Sequence, residues 1–95
     1  MKRIISKSVW HFVFDNKFDI KDIFISCESL ERFCIVRHLH GVPHYHMAVE
    51  FNSRIDITKS VLALLMSNEA VDSCSYCECV SCSYDELVNY MELNK

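Results

Sequence analysis

The apolar positions of this chain change their period several times, and each change marks an element. Ser8-Val9-Trp10-His11-Phe12-Val13-Phe14 is dense in β-branched and aromatic side chains and is closed by the turn-forming Asp15-Asn16, which predicts a first strand. Behind Asp19, a suitable N-cap, Ile20, Ile23, Phe24 and Cys27 recur at helical spacing and predict a short helix over 20–27. Residues 33–51 alternate in polarity on both sides of Gly41-Val42-Pro43, the pattern of a β-hairpin. Asn52-Ser53-Arg54 ends that pattern, and Asp56 or Thr58 can cap a helix carrying Val61, Leu62, Leu64, Leu65 and Met66, with Asn68 as its stop.

A further strand is expected over 74–81, with Cys77, Cys79 and Ser81 on one side and Tyr76, Glu78 and Val80 on the other. Ser83-Tyr84-Asp85-Glu86 is a capping box that opens a last helix. On it Leu87, Tyr90, Met91 and Asn94 fall on adjoining positions, which puts Tyr90 mid-helix on the half-buried side and turns Tyr84 away from the sheet. The order β, α, β, β, α, β, α predicts an α+β domain: an antiparallel sheet of about four to five strands with packed helices, on a ferredoxin-like or RRM-like plan.

The hairpin carries the chemistry. Alternate residues of a strand share a face, so His44 and His46 aim their imidazoles together while Tyr45, Met47, Val49 and Phe51 turn to the other side. His38 and His40 repeat the spacing. If Gly41 to Pro43 form the loop, His40 faces His44, His38 faces His46, and all four share a face continued by Cys34 and Val36. Phe33, Ile35 and Leu39 would then join the apolar side. Imidazoles this close resist being protonated together, and a divalent cation resolves the conflict by binding them neutral.

Composition narrows the setting. Ninety-five residues, 51% of them hydrophobic, suffice for one domain with one modest core. No apolar run reaches the length of a membrane span, and the start has no signal-peptide stretch, so an intracellular protein without a membrane is expected. Six cysteines in a chain with one glycine and clear strand and helix patterning read as reduced thiols. Cys74, Cys77, Cys79 and Cys82 form two C-x-x-C steps, but one residue between the pairs leaves no room for two zinc knuckles. A net charge of −3 argues against a large duplex-binding surface and leaves a short, focused nucleic-acid contact open.

A histidine pair split by one hydrophobic residue, followed by a helix with a tyrosine, resembles the HUH endonucleases. Gly41-Val42-Pro43-His44-Tyr45-His46-Met47-Ala48-Val49-Glu50-Phe51 looks like the metal-binding motif of rolling-circle replication initiators of small circular-DNA viruses and plasmids. Residues 10–14 sit where that family has its first motif strand, and Tyr90 where its catalytic helix supplies the nucleophile. The resemblance implies a single HUH endonuclease domain over 1–95, the nuclease part of a longer replication protein that forms homo-oligomers through regions outside this chain. It places the protein in the host nucleus for a eukaryotic virus and in the cytoplasm for a plasmid or phage.

By that resemblance the metal ligands are His44, His46 and a third from the preceding strand, His38 or His40, with His38 preferred; the family's usual carboxylate is missing there. The cofactor is Mn2+ or Mg2+, and an imidazole-rich site suits manganese better. Tyr90 would attack a single-stranded replication origin, leaving a 5′-phosphotyrosine bond and a free 3′-hydroxyl. Leu93 stands where viral members carry a lysine, so Lys95 is the nearest candidate, and Glu86 and Asn94, one turn from Tyr90, are accessory candidates. Trp10, Phe12, Tyr45, Lys2, Arg3, Lys7, Arg37 and Arg54 are candidates for stacking or phosphate contact, with most of the aromatics expected in the core instead.

Two rivals stand beside this reading. A histidine-triad nucleotide hydrolase also alternates histidine with apolar residues, but Ala48 occupies the place of its third histidine. The other is a non-catalytic ferredoxin-like nucleic-acid-binding module with a structural metal.

Overall fold

A computed structural model describes residues 8–15, 29–39, 41–52 and 68–94. Its strands are β1 (Ser8–Asp15), β2 (Leu30–His38), β3 (His44–Phe51) and β4 (Cys74–Val80), and its helices α1 (Asn68–Ser73) and α2 (Tyr84–Leu93). The strands form one four-stranded sheet in the order β2-β3-β1-β4, with every neighbouring pair antiparallel. Read from the other edge, this is the strand order of the ferredoxin-like plan, and the α+β class expected from the sequence holds. The helix expected over 20–27 and the stretch from Val61 to Met66 lie outside the described residues.

Alternation on the central strands fixes two faces. Trp10, Phe12, Phe14, Met47, Val49 and Phe51 point to one side and form a core with Val71 of α1; Leu30, Ile35, Tyr45, Cys74 and Cys77 pack against it. Val9, Val36 and Ala48 point to the other, where Tyr84, Leu87 and Met91 of α2 cover them, flanked by Cys34, Val80, Cys82 and Val88. Burial of several whole aromatic side chains, each contributing about 1.5–3 kcal/mol, makes the first face the main source of stability.

α2 is held at its start by the expected capping box: Glu86 N–H donates to Ser83 Oγ at 3.1 Å, and Ser83 N–H donates to Glu86 Oε1 at 3.3 Å. Arg32 ties the helix to the sheet. Its Nε donates to the buried Glu50 carboxylate at 3.0 Å, a terminal nitrogen lies 3.5 Å from Asp85, and the guanidinium sits 4.2 Å over the Tyr84 ring.

Several expectations change. Tyr84 is buried against the sheet rather than turned away, because the helix seats Tyr84, Leu87 and Met91, at i, i+3 and i+7, on the covered face; Tyr90 falls on the flank at 57% exposure instead of half-buried. Asn68 is not a helix stop, since helical residues run on from it to Ser73, and β4 ends at Val80, one residue short of the expected Ser81. Phe33 and Leu39 are exposed: Phe33 stands on β2, the edge strand of the sheet among the described residues, and Leu39 lies just past its end. The hairpin turn is also longer than Gly41-Val42-Pro43: strand pairing stops at His38 and His44, with Gly41 at φ 64° providing the left-handed position that only glycine takes without strain.

Candidate metal centre

The longer turn resets the hairpin register. His38 pairs with His44 and Val36 with His46, so the expected facings of His38 with His46 and His40 with His44 are both displaced by two residues. A shift by an even number preserves the face. His38, His44 and His46 therefore still converge, with one candidate ligand atom from each lying within 4.8 Å of the others. His40 lies outside the described residues.

Ring positions show how tightly the group is assembled. His38 stacks on His46 with centroids 3.9 Å apart; His44 lies 4.9 Å from His46 and 5.3 Å from His38, tilted against both. His38 is buried beneath α2, while His44 and His46 are half-buried and open the cluster toward solvent. Two nitrogens on one ion at about 2.1 Å each are at most about 4.2 Å apart, so slight inward rotation of the rings closes the set around a cation. The cluster could hold a metal ion.

Hydrogen bonds on the outer edges of the rings favour that role. His44 Nδ1–H donates to the Val42 carbonyl at 2.8 Å, which keeps its Nε2 for a ligand. His38 Nε2–H donates to the Met91 carbonyl of α2 at 3.0 Å, so a cation would be met by Nδ1. His46 Nδ1 lies 2.7 Å from Nε2 of His11 on β1. Each ring thus has at least one nitrogen engaged by the fold, the kind of contact by which proteins orient metal-binding histidines.

Electrostatics point the same way. Burial, then the neighbouring His38, His11 and His44, bring the His46 pKa from 6.5 down to about 4, so this ring is neutral at physiological pH and keeps one nitrogen lone pair.

His11 was not among the expected site residues. It shares the face of Ala48 and lies diagonal to His46, with ring centroids 4.9 Å apart and the Tyr76 ring edge-on at 5.4 Å. Period two alone puts it on the face of Val9 and Val13; that this face is also the histidine face follows from β1 lying beside β3.

The remaining candidates scatter. Trp10 is 8% exposed in the apolar core and Phe12 fully buried there, which removes both from any stacking surface. Arg37 is exposed, but pairs with Tyr45 and so stands on the face opposite the histidines, its guanidinium 5.8 Å over the Tyr45 ring. Glu86 is engaged in the α2 cap. Asn94 folds back on its own helix, its Nδ2 donating to the Tyr90 carbonyl at 2.7 Å. Lys2, Arg3, Lys7, Arg54 and Lys95 lie outside the described residues.

Tyr90 is exposed on α2, the helix packed on the histidine face, one residue from the carbonyl that anchors His38. The cysteines form no comparable group among the described residues. Cys77 lies against the apolar core, where burial, then Cys74 and Cys79, push its thiol up to about 12, so the thiolate that zinc needs is disfavoured. Among the described residues no helix is long and apolar enough to cross a membrane. The chain matches no protein-family model, no curated protein and no solved structure.

Proposed function

We propose that this chain is a metal-dependent, sequence-specific endonuclease and ligase for single-stranded DNA, nicking a replication origin through Tyr90 in the manner of the HUH endonucleases it resembles. One observation carries the reading: His38, His44 and His46 converge on the sheet face that α2 covers, and the helix bearing Tyr90 is hydrogen-bonded to that cluster through the carbonyl of the next residue. A rigid sheet thereby carries the cation ligands and a packed helix carries the nucleophile, two groups that in-line phosphoryl transfer needs side by side.

A divalent ion held there, manganese in preference to magnesium on an all-imidazole site, would neutralise charge developing on the scissile phosphate. The chain's residues do the rest. The exposed Tyr90 phenol attacks the phosphorus; its oxygen forms the new ester bond, the bond to the 3′-oxygen breaks, the phenolic proton passes to water and the departing oxygen takes a proton from solvent. The phosphodiester energy is kept in the 5′-phosphotyrosine link, so joining reverses nicking without ATP. The partial exposure of His44 and His46 suits a flexible single strand, which can bend toward a recessed site where stacked duplex cannot.

The test is covalent capture: labelled single-stranded origin oligonucleotides, Mn2+ and the protein, resolved on a denaturing gel. A protein–DNA adduct is expected, lost in Tyr90→Phe, in His46→Ala and on chelation. Metal-dependent stabilisation without any adduct would replace the nuclease by the binding module with a structural metal.

A further inference from the structure

The contact between His11 and His46 holds a single proton in a 2.7 Å bond between two ring nitrogens, and the side on which that proton sits decides whether His46 can be a ligand. If His46 Nδ1–H donates to His11 Nε2, the Nε2 lone pair of His46 points into the cluster. If instead His11 Nε2–H donates to His46 Nδ1, a neutral His46 must carry its own proton on Nε2, the atom a cation would need. The same two rings in the same positions thus make either a competent or a blocked site.

Glu78 is placed to bias the choice. It is the direct cross-strand partner of His11 on β4, on the same face, and its charge acts on the His11 ring. A carboxylate on that side favours a proton on His11 Nδ1, which leaves His11 Nε2 as the acceptor and drives the shared proton onto His46 Nδ1. Tyr76, edge-on to His11 at 5.4 Å, limits rotation of the ring.

We propose that His11, biased by Glu78, is a positioning residue that selects the metal-binding tautomer of His46. β1 and β4 thereby act on a site whose cation ligands all come from β2 and β3. The inference rests on the metal reading of the His38, His44 and His46 cluster, and its closing experiment separates the two.

Long-range 15N–1H correlation spectra of the metal-free protein report which nitrogen of each neutral imidazole carries hydrogen. Wild type is expected to show His46 protonated at Nδ1. His11→Phe, which keeps a flat ring but accepts no hydrogen bond, should shift His46 toward Nε2–H, and His11→Gln, whose amide oxygen can accept, should restore the wild-type form. Calorimetric titration with Mn2+, Co2+ and Zn2+ should show His11→Phe binding about 10- to 100-fold more weakly, the usual range for loss of such a partner. His11→Gln should recover most of that loss, and Glu78→Gln should lose only several-fold.

Wild type with His46 protonated at Nε2, or His11→Phe binding cations as tightly as wild type, overturns the inference and leaves the metal reading standing. Wild type with the expected tautomer but no affinity for any of the three cations overturns the metal reading, while the spectra still uphold the selection of the proton's place.

Discussion

The two faces of one sheet divide the work of this protein, although the same strands build both. On β3, Met47, Val49 and Phe51 are sealed against β1 aromatics on one side, while His44 and His46 stand on the other, half-open, with Ala48 beneath α2. The apolar face is closed over β1 and β3 and opens toward β2, where Phe33 is exposed. The histidine face is apolar where Val9, Val36 and Ala48 meet α2; His38 is buried against the end of that helix, and His44 and His46 are half-buried beside it. Stability is concentrated on one side so that the other can keep polar groups partly exposed to solvent, groups that would be costly in a closed core.

The contrast can be broken from either side. The largest effect should come from Phe12→Ala, which removes a fully buried ring from the apolar face: a loss of about 3–5 kcal/mol by urea denaturation, with or without metal present. On the opposite face, His46→Ala should cost roughly two orders of magnitude or more in Mn2+ or Co2+ affinity by calorimetry while barely moving the metal-free unfolding midpoint. Comparable stability losses from the two substitutions would mean that the histidine face is also core.

A smaller effect follows from pH. His46 has its folded pKa held at about 4, below its ordinary 6.5, so the unfolded chain takes up the proton first. Titration of this ring leaves stability unchanged above pH 6.5 and lowers it as pH falls toward 4, by roughly 1–2 kcal/mol after allowance for solvent screening at this half-open position. The wild-type unfolding midpoint should therefore drop more steeply over that window than that of His46→Ala, and equal slopes would remove His46 as the cause. Cation affinity should fall in the same direction, since protons compete for the ligand nitrogens. The smallest change is Ser83→Ala, about 1 kcal/mol by denaturation through loss of the α2 cap, with the metal-free hairpin histidines keeping their chemical shifts.

Much of the candidate site was legible before any coordinates. The i, i+2 spacing of His44 and His46 and the opposite facing of Met47, Val49 and Phe51 follow from backbone geometry alone, and so does the capping box at Ser83 and Glu86, whose partners are three residues apart. The turn was harder. Gly41-Val42-Pro43 marks its place but not its length, and the two-residue difference moved His38 from His46 to His44 while leaving it on the right face. Tyr84 and Tyr90 were exchanged in their exposure because a helix only ten residues long can roll by a fraction of a turn, and what it lies on decides where it stops.

By itself, then, the sequence determined everything whose cause lies within a few residues: which side of its own strand each imidazole takes, where α2 starts, and that the central strands carry an apolar side. Tertiary structure alone decided that β1 lies against β3, which brings His11 to His46 across thirty-five positions of chain, and that the backbone of α2 anchors His38. Strand neighbours and helix seating are fixed by the summed packing of the whole sheet rather than by any local preference, so no single segment carries their signature.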